Sequence, residues 1–363
     1  MGVSFFNYLP GVILSVLIAL IGIFFSDYLG TEFMGFDKSP ISSIMLAIII
    51  GLLVGNIFSI SENFKLGIDF SIKKILRFGI ICLGIRLGLG DIINLGLAAL
   101  PLIIICLVSA LLIVIYLSKK INVSSKMAAL IAVGTSICGA SAIVATAPAI
   151  NADKEEVTYA IANITLFGIL AMFFYPFLAN FIFNGNEYAV GLFLGTSIHE
   201  TAQVAGAGLI YAEQFNSPEV LDIAAVTKLV RNTSMMIIIP LIAFIYHRNL
   251  KTTESVSNLS ILSMFPLFIL GFITMGIFRT IGDITLQSSG YSFGLLGSND
   301  WAYIISTVKQ VAEISLAIAM ASLGLSTNLK SIASLGVKPF YLGFVAATSV
   351  GIVSFMAIKL IVI

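Results

Sequence analysis

Apolar runs of 18 to 27 residues alternate with short polar interruptions along the whole of this 363-residue chain. A helix needs about 20 mainly apolar residues to cross a bilayer, and somewhat more when tilted. The pattern predicts eleven transmembrane helices, at about 10–27, 41–59, 67–89, 98–118, 127–149, 157–183, 189–212, 220–246, 261–279, 301–323 and 339–361. The tenth is the least apolar, because Lys309, Gln310 and Glu313 interrupt it. Nearly all connections are short. The chain therefore reads as one all-α polytopic transmembrane domain over residues 1–363, with no soluble domain. The first apolar stretch lacks a basic flank and a convincing cleavage site, so it is expected to remain as a span.

Composition agrees with the pattern. Hydrophobic residues make up 59% of the chain and charged residues 10%, against about 25% charged in a soluble domain. The formal net charge of +1 gives no reason to expect nucleic acid as a partner. Cys82, Cys106 and Cys138 all lie in apolar segments at no metal-binding spacing, so reduced thiols are expected, with no disulfide frame and no metal. No cofactor is expected either.

Lys and Arg collect on the cytoplasmic side of membrane proteins. With the N-terminus in the cytoplasm, that side holds Lys65, Lys73, Lys74, Arg77, Lys119, Lys120, Lys126, Arg248, Lys251, Lys330 and Lys338. The outer side holds Lys38, Lys154 and Arg279, so the ratio is eleven to three. An odd number of spans then places the C-terminus outside.

One stretch contradicts its apolar surroundings. Residues Gly134-Thr135-Ser136-Ile137-Cys138-Gly139-Ala140-Ser141-Ala142 sit at the centre of the fifth run. Two glycines five residues apart weaken a helix, and small side chains leave backbone groups open to a ligand. Unwound backbone survives in a membrane only where protein or a water-filled cavity satisfies it. The stretch is therefore expected to be a broken helix at a transport site. Thr135, Ser136, Gly139 and Ser141, with amides at a half-helix N-terminus, are candidate anion ligands, and Cys138 lies among them. Close small-residue packing of helices explains the same composition. The opening of the motif recurs at Gly195-Thr196-Ser197-Ile198, followed by His199-Glu200-Thr201-Ala202-Gln203. The charge pattern runs spans five and seven in the same direction. The two motifs are then not simple inverted mates: either a different span is the partner of the Gly134–Ala142 break, or span five or seven does not fully cross the membrane.

Ionisable groups at membrane depth are costly and usually face a bundle interior or cavity. His199 and Glu200 are candidates to carry or gate a coupling proton, with Gln203 in reach of both at helical spacing. The alternative is a buried network that joins helices. Lys228 and Arg231 lie one turn apart on one helix face. Two cations that close need an anion between them. Glu200 is the candidate resting partner, and an anionic substrate could replace it. A structural ion pair or snorkelling explains them equally well. Arg86, Asn163, Lys309 and Glu313 are secondary candidates, Lys309 and Glu313 being four residues apart and able to neutralise each other.

Residues 85–101 and 321–339 share a Leu-Gly-Leu, a short polar turn, then Leu-Gly and Pro. This pairs spans three and four with ten and eleven, seven spans apart and so in opposite directions. Inverted repeats of this kind mark secondary transporters.

The Gly134–Ala142 motif, Ser197-Ile-His-Glu-Thr-Ala-Gln-Val204, Lys228-Leu-Val-Arg231 and the Leu323-Gly-Leu to Gly336-x-Lys-Pro339 ending together resemble the YeiH-type conserved membrane family. That family is also known by the name of sulfate exporters. The resemblance covers nearly the whole chain in order. It implies a branch of the cation–proton antiporter and anion transporter superfamily, with inverted repeats, broken crossing helices and an elevator movement. No Asp lies deep in any span, so the paired Asp of sodium–proton antiporters is missing. The expected function is export of a small anion, sulfate or a sulfonate, coupled to H+ or Na+, across a bacterial inner membrane. Thr196, Ser197 and Gln203 join the first motif and the two cations as expected substrate contacts. Homo-oligomerisation is left open. Two alternatives remain. One is an uptake symporter of an organic anion. The other is a membrane enzyme using Cys138 and His199.

Overall fold

A backbone in hydrocarbon has no water to satisfy its amides, so each apolar segment must close its own hydrogen bonds, as a helix does. The computed structural model describes residues 5–33, 39, 41–58, 60–250, 265–328 and 336–363. Among these residues every element is helical, apart from an isolated bridge between Ser292 and Leu296. This is an all-α membrane protein. Among the described residues, seven helices are long and apolar enough to span a bilayer: Leu9–Gly30, Leu89–Ile121, Lys154–Ile182, Glu219–Tyr246, Phe268–Ser289, Ser298–Ser326 and Val337–Ile361. They answer to seven of the eleven expected spans. Lys38, Lys251, Lys330, residue 59 of the second span, residues 261–264 of the ninth and residues 329–335 of the second repeat copy lie outside the described residues.

The chain forms two compact units. The first comprises residues to Leu95, Leu209–Pro218 and Leu267–Asn328. It contains α1 (Leu9–Asp27), α2 (Ser43–Ile57), α3 (Glu62–Phe70) and α4 (Leu76–Leu83), the last two joined by a π-turn. The start of α5 (Leu89–Ile121) belongs here too, as do α13 (Phe268–Ser289) and α14 (Ser298–Ser326). Helix α2 lies backbone to backbone on α14. A Cβ at Gly51 would stand 2.5 Å from the Ala321 carbonyl oxygen, and one at Gly324 would stand 2.3 Å from that of Ile48. Lipid tails are as apolar as Leu, so close small-residue packing supplies the attraction that the hydrophobic effect supplies in water. Two polar ties complete the unit. The hydroxyls of Ser42 and Ser43 donate to the Glu213 carboxylate at 2.6 and 2.7 Å. Arg86 Nη1 donates to Glu313 at 3.1 Å, and its Nη2 to the Pro218 carbonyl at 3.4 Å. Glu313 thus finds an ion pair 227 positions away, with Arg86.

The second unit comprises Gly96–Gly208, Glu219–Pro266 and Leu329–Ile363. It contains α6 (Ser125–Ser136), α7 (Ala140–Thr146), α8 (Lys154–Ile182), α9 (Glu187–Ser197) and the start of α10 (Thr201–Phe215). Then come α11 (Glu219–Thr233), α12 (Met235–Leu250) and α15 (Val337–Ile361). The fifth apolar run is not one through-going broken helix. Helix α7 and the 3-10 turn after it (Ala147–Ile150) fold back along α6. Ser124, which caps α6, donates to Glu156 in the first turn of α8 at 2.6 Å. Lys126 pairs with Asp153 at 3.6 Å. A 12-residue α6 extends about 18 Å at 1.5 Å per residue, so a collinear α7 would carry Asp153 far from Lys126. The segment therefore begins and ends at the same end of the unit.

The seventh run folds back in the same way. A Cβ at Gly191 in α9 would meet Ile223 and the Val220 carbonyl, and a Cβ at Gly208 in α10 would meet Leu221. Both arms thus flank the same turn of α11. The turns that bound these elements use one device. Asn122, Asn151, Asn184 and Asn216 all adopt positive φ, at 54°, 48°, 50° and 54°. Asparagine tolerates that conformation better than most residues. Two residues after three of them stand the caps Ser124, Asp153 and Asn186 of α6, α8 and α9. The first hairpin is held by a dry core of Leu130, Ile131, Ile143, Ile150, Ala160 and Ile164, each at most 1% exposed.

Candidate functional site

The two hairpin tips carry the residues that the sequence singled out. At the first, α6 ends with the Gly139 amide donating to the Gly134 carbonyl at 3.0 Å. Gly139 has φ of +73°, and a Cβ there would lie 2.3 Å from Glu200 Cγ. Backbone conformation and contact both require glycine. At the second tip α9 ends at Ser197, and Ile198 is extended with φ −84° and ψ 142°. Glu200 then starts α10, its carbonyl accepting from the Val204 amide at 2.9 Å. Gln203 Oε1 accepts from the Glu200 amide at 3.2 Å, which is half of a capping box, and its Nε2 donates to the Thr165 carbonyl at 3.2 Å.

Lys228 and Arg231 sit on the face of α11 turned to both tips. Gly195 of α9 lets this happen, because a Cβ there would stand 2.6 Å from Thr227 Cβ. Lys228 Nζ donates to the carbonyls of Ile137 at 3.0 Å, Ile198 at 2.9 Å and His199. Arg231 Nε donates to Ser136 at 2.8 Å, Nη1 to Thr196 at 2.6 Å and Ile198 at 3.2 Å, and Nη2 to Thr135. Both side chains are buried, at 0% and 1% exposure. Among the described residues neither forms an ion pair. Instead they clamp the carbonyl ends of α6 and α9. Each helix C-terminus carries about half a negative charge, and unwound carbonyls add to it. This corrects the expectation that Glu200 would pair with these cations at rest. The Glu200 carboxylate accepts the Ala140 amide at 3.2 Å, at the start of α7.

The hydroxyls are placed differently from the expected oxyanion ring. Ser136, Thr196 and Ser197 donate back to Val133, Leu192 and Phe193 on their own helices, at 3.4, 2.7 and 2.5 Å. Thr196 also meets Ser354 of α15 at 2.7 Å. Ser141 is exposed. Thr135 Oγ1 and His199 Nδ1 are buried without a hydrogen-bond partner. Cys138 packs against Met235. Asn163 donates to the Pro339 carbonyl at 2.6 Å and ties α8 to α15, away from the tips. Arg86, Lys309 and Glu313 belong to the first unit. Sequence reasoning missed Ser354. Asn232, which directly follows Arg231 and reads in the sequence as polar glue, donates from Nδ2 to the Thr201 hydroxyl at 3.0 Å.

Comparisons with known proteins bear on this arrangement. Residues 10–343 match a family model described as "Conserved hypothetical protein 698". A "UPF0324 membrane protein" of Fusobacterium nucleatum is 34% identical over 352 residues, covering 96% of each chain. One from Streptococcus agalactiae is 34% identical over 345 residues, covering 95% of this chain and 94% of its own. One from Pasteurella multocida is 32% identical over 310 residues, covering 84% of each. No solved structure matches the chain.

Proposed function

The chain belongs to the Conserved hypothetical protein 698 family of bacterial UPF0324 membrane proteins, and from that premise we propose that it is a secondary transporter of a small anion. The observation that carries the proposal is the clamp. Two chain reversals meet tip to tip, with two buried cations on their carbonyl ends. Irregular backbone at membrane depth is expensive, and transporters spend it on binding sites at the midplane.

Topology supports this reading. The hairpin 125–150 does not change sides, α8 crosses, the hairpin 187–215 enters from the opposite side, and α11–α12 crosses back. Residues 125–182 and 187–250 then form an inverted pair, each a hairpin followed by a crossing helix. The two Gly-Thr-Ser-Ile motifs become inverted mates at the two tips. Removing two of eleven crossings leaves nine, so the termini keep their sides, N-terminus in the cytoplasm and C-terminus outside. Lys154 moves to the cytoplasmic set, and the basic residues divide as 11 + 1 = 12 against 3 − 1 = 2.

Charge supports an anion. The two cations, the two carbonyl ends, the two amide ends of the returning arms and an ionised Glu200 sum to about +1. Protonation of Glu200 raises the sum by one and frees the Ala140 amide, so proton and anion bind together. In this scheme Lys228 and Arg231 set the potential while holding the tips, Glu200 carries the proton, and His199 lies beside it. Sulfate or a sulfonate is the substrate, carried with the proton by an elevator movement of the hairpins, with no covalent step. The test is uptake of labelled sulfate and of small sulfonates by proteoliposomes under an imposed pH gradient. Flux that collapses with the gradient and is lost in Glu200→Ala is expected. Absence of flux for every anion tried, with either gradient direction, sinks the reading.

A further inference from the structure

We propose that Lys228 is a built-in cation: its ammonium fills a three-carbonyl site that Na+ occupies once the side chain is removed, so that the native protein works without sodium. The inference deepens the transport reading and rests on it for the role of the site. Half-helix C-termini and unwound carbonyls coordinate coupling cations in transporters. Here the carbonyls of Ile137, Ile198 and His199 converge from two separate chain reversals on one point, and that point is Lys228 Nζ. Three neutral acceptors require three donors. An ammonium has three protons, whereas a neutral amine has two and would aim its lone pair at a carbonyl. The side chain is fully buried. A cation is thus a fixed part of the tip junction. Without it, the carbonyls of Ile137 and His199 would lose this donor at membrane depth, and that of Ile198 would keep Arg231 alone.

The donor–acceptor distances of 2.9 and 3.0 Å suit an ammonium. A bare ion of the size of Ca2+ or Na+ takes oxygen at about 2.3–2.6 Å, so the carbonyls would draw in by about half an ångström. The volume left by the four-carbon stem admits the water that completes its shell. Arg231 also donates to the Ile198 carbonyl and stays beside the site, so it opposes a metal ion as it opposes the ammonium. The net interaction is therefore conserved when one monovalent cation replaces the other.

The experiment measures thermal unfolding of the full chain in detergent, titrated with NaCl or KCl against choline chloride at constant ionic strength. The wild type should unfold at one temperature in all three. Lys228→Ala should unfold lower in choline and recover saturably with NaCl, by about 3 °C or more. Lys228→Met, which refills the space with an apolar side chain, should be low and indifferent to Na+. Indifference of Lys228→Ala to Na+ overturns the proposal. So does saturable stabilisation of the wild type by Na+, an arm that needs no variant to fold. The readout is cation occupancy and not flux. If no anion is transported while Na+ still rescues Lys228→Ala, the transport reading falls and the cation site stands.

Discussion

Gly139 shows how much one residue decides. It stands at positive φ, and its missing Cβ is where Glu200 Cγ packs. Gly290 is a control with φ of +77° and open space around it. Gly290→Ala should cost about 1 kcal/mol for backbone strain alone. Gly139→Ala should cost at least about 2 kcal/mol more, read as a lower unfolding midpoint in detergent. In a Glu200→Ala background that excess should vanish, and its persistence would mean the contact is not the cause. Arg231 is a second case. Were Arg231 only a countercharge for the anion, Arg231→Gln would weaken anion binding and leave the fold intact. Because the guanidinium holds four carbonyls of both tips, the expected result is a loss of about 3–5 kcal/mol and a poor yield of folded protein. Arg231→Lys should rescue little, since a point charge cannot reproduce the planar fork. Glu200→Gln is the milder change, because an amide oxygen still accepts the Ala140 N–H. It should fold, and transport should lose its pH dependence. A wild-type pH profile would remove Glu200 as the proton carrier.

At the scale of elements, the hairpins are the point at which the pattern of apolar residues misleads. Hydropathy sees a mainly apolar run of 23 residues at 127–149 and reads a crossing, because a span and two half-length arms have the same composition. The signals of reversal were present but small. The Gly-Thr-Ser-Ile-Cys-Gly break lies at the midpoint of the run, and Asn151 with Asp153-x-x-Glu156 writes the same turn and cap as other loop ends. Cysteine labelling tests the geometry. With a membrane-impermeant maleimide, Ser125→Cys and Asn151→Cys should react from one side of the membrane, and Asn184→Cys and Glu219→Cys from the other. Reaction of Ser125→Cys and Asn151→Cys from opposite sides would restore a through-going helix and end the inverted pairing of the two hairpins.

At the scale of the whole molecule, the proposed sides rest on the basic residues. The hairpin scheme changes the place of one loop, that of Lys154, and leaves both termini where the sequence put them, because two crossings are lost together. Alkaline phosphatase fused after Ile363 should be active, since that enzyme folds only outside the cytoplasm, and the same enzyme inserted after Asn151 should be inactive. Activity at Asn151 would return Lys154 to the outer side. Close glycine contacts hold α2 to α14 in one unit and α9 to α11 in the other.

The sequence by itself determined the class of the molecule. An apolar content of 59% with 10% charge admits only a multi-pass membrane protein, and the polar residues of the two Gly-Thr-Ser-Ile motifs, with Lys228 and Arg231, were conspicuous in such surroundings. It also placed those residues in one functional group, although it assigned Glu200 as the cations' partner and the hydroxyls as ligands of the anion. Tertiary structure decided the rest. Which atoms meet Lys228 and Arg231 depends on carbonyls 29 to 96 positions away, and carbonyls are the same in every residue type. Side-chain identity therefore holds no trace of that contact. The reversal of each hairpin is equally silent, since direction is set by a few dihedral angles near Gly139 and Ile198 and not by the apolar pattern that surrounds them.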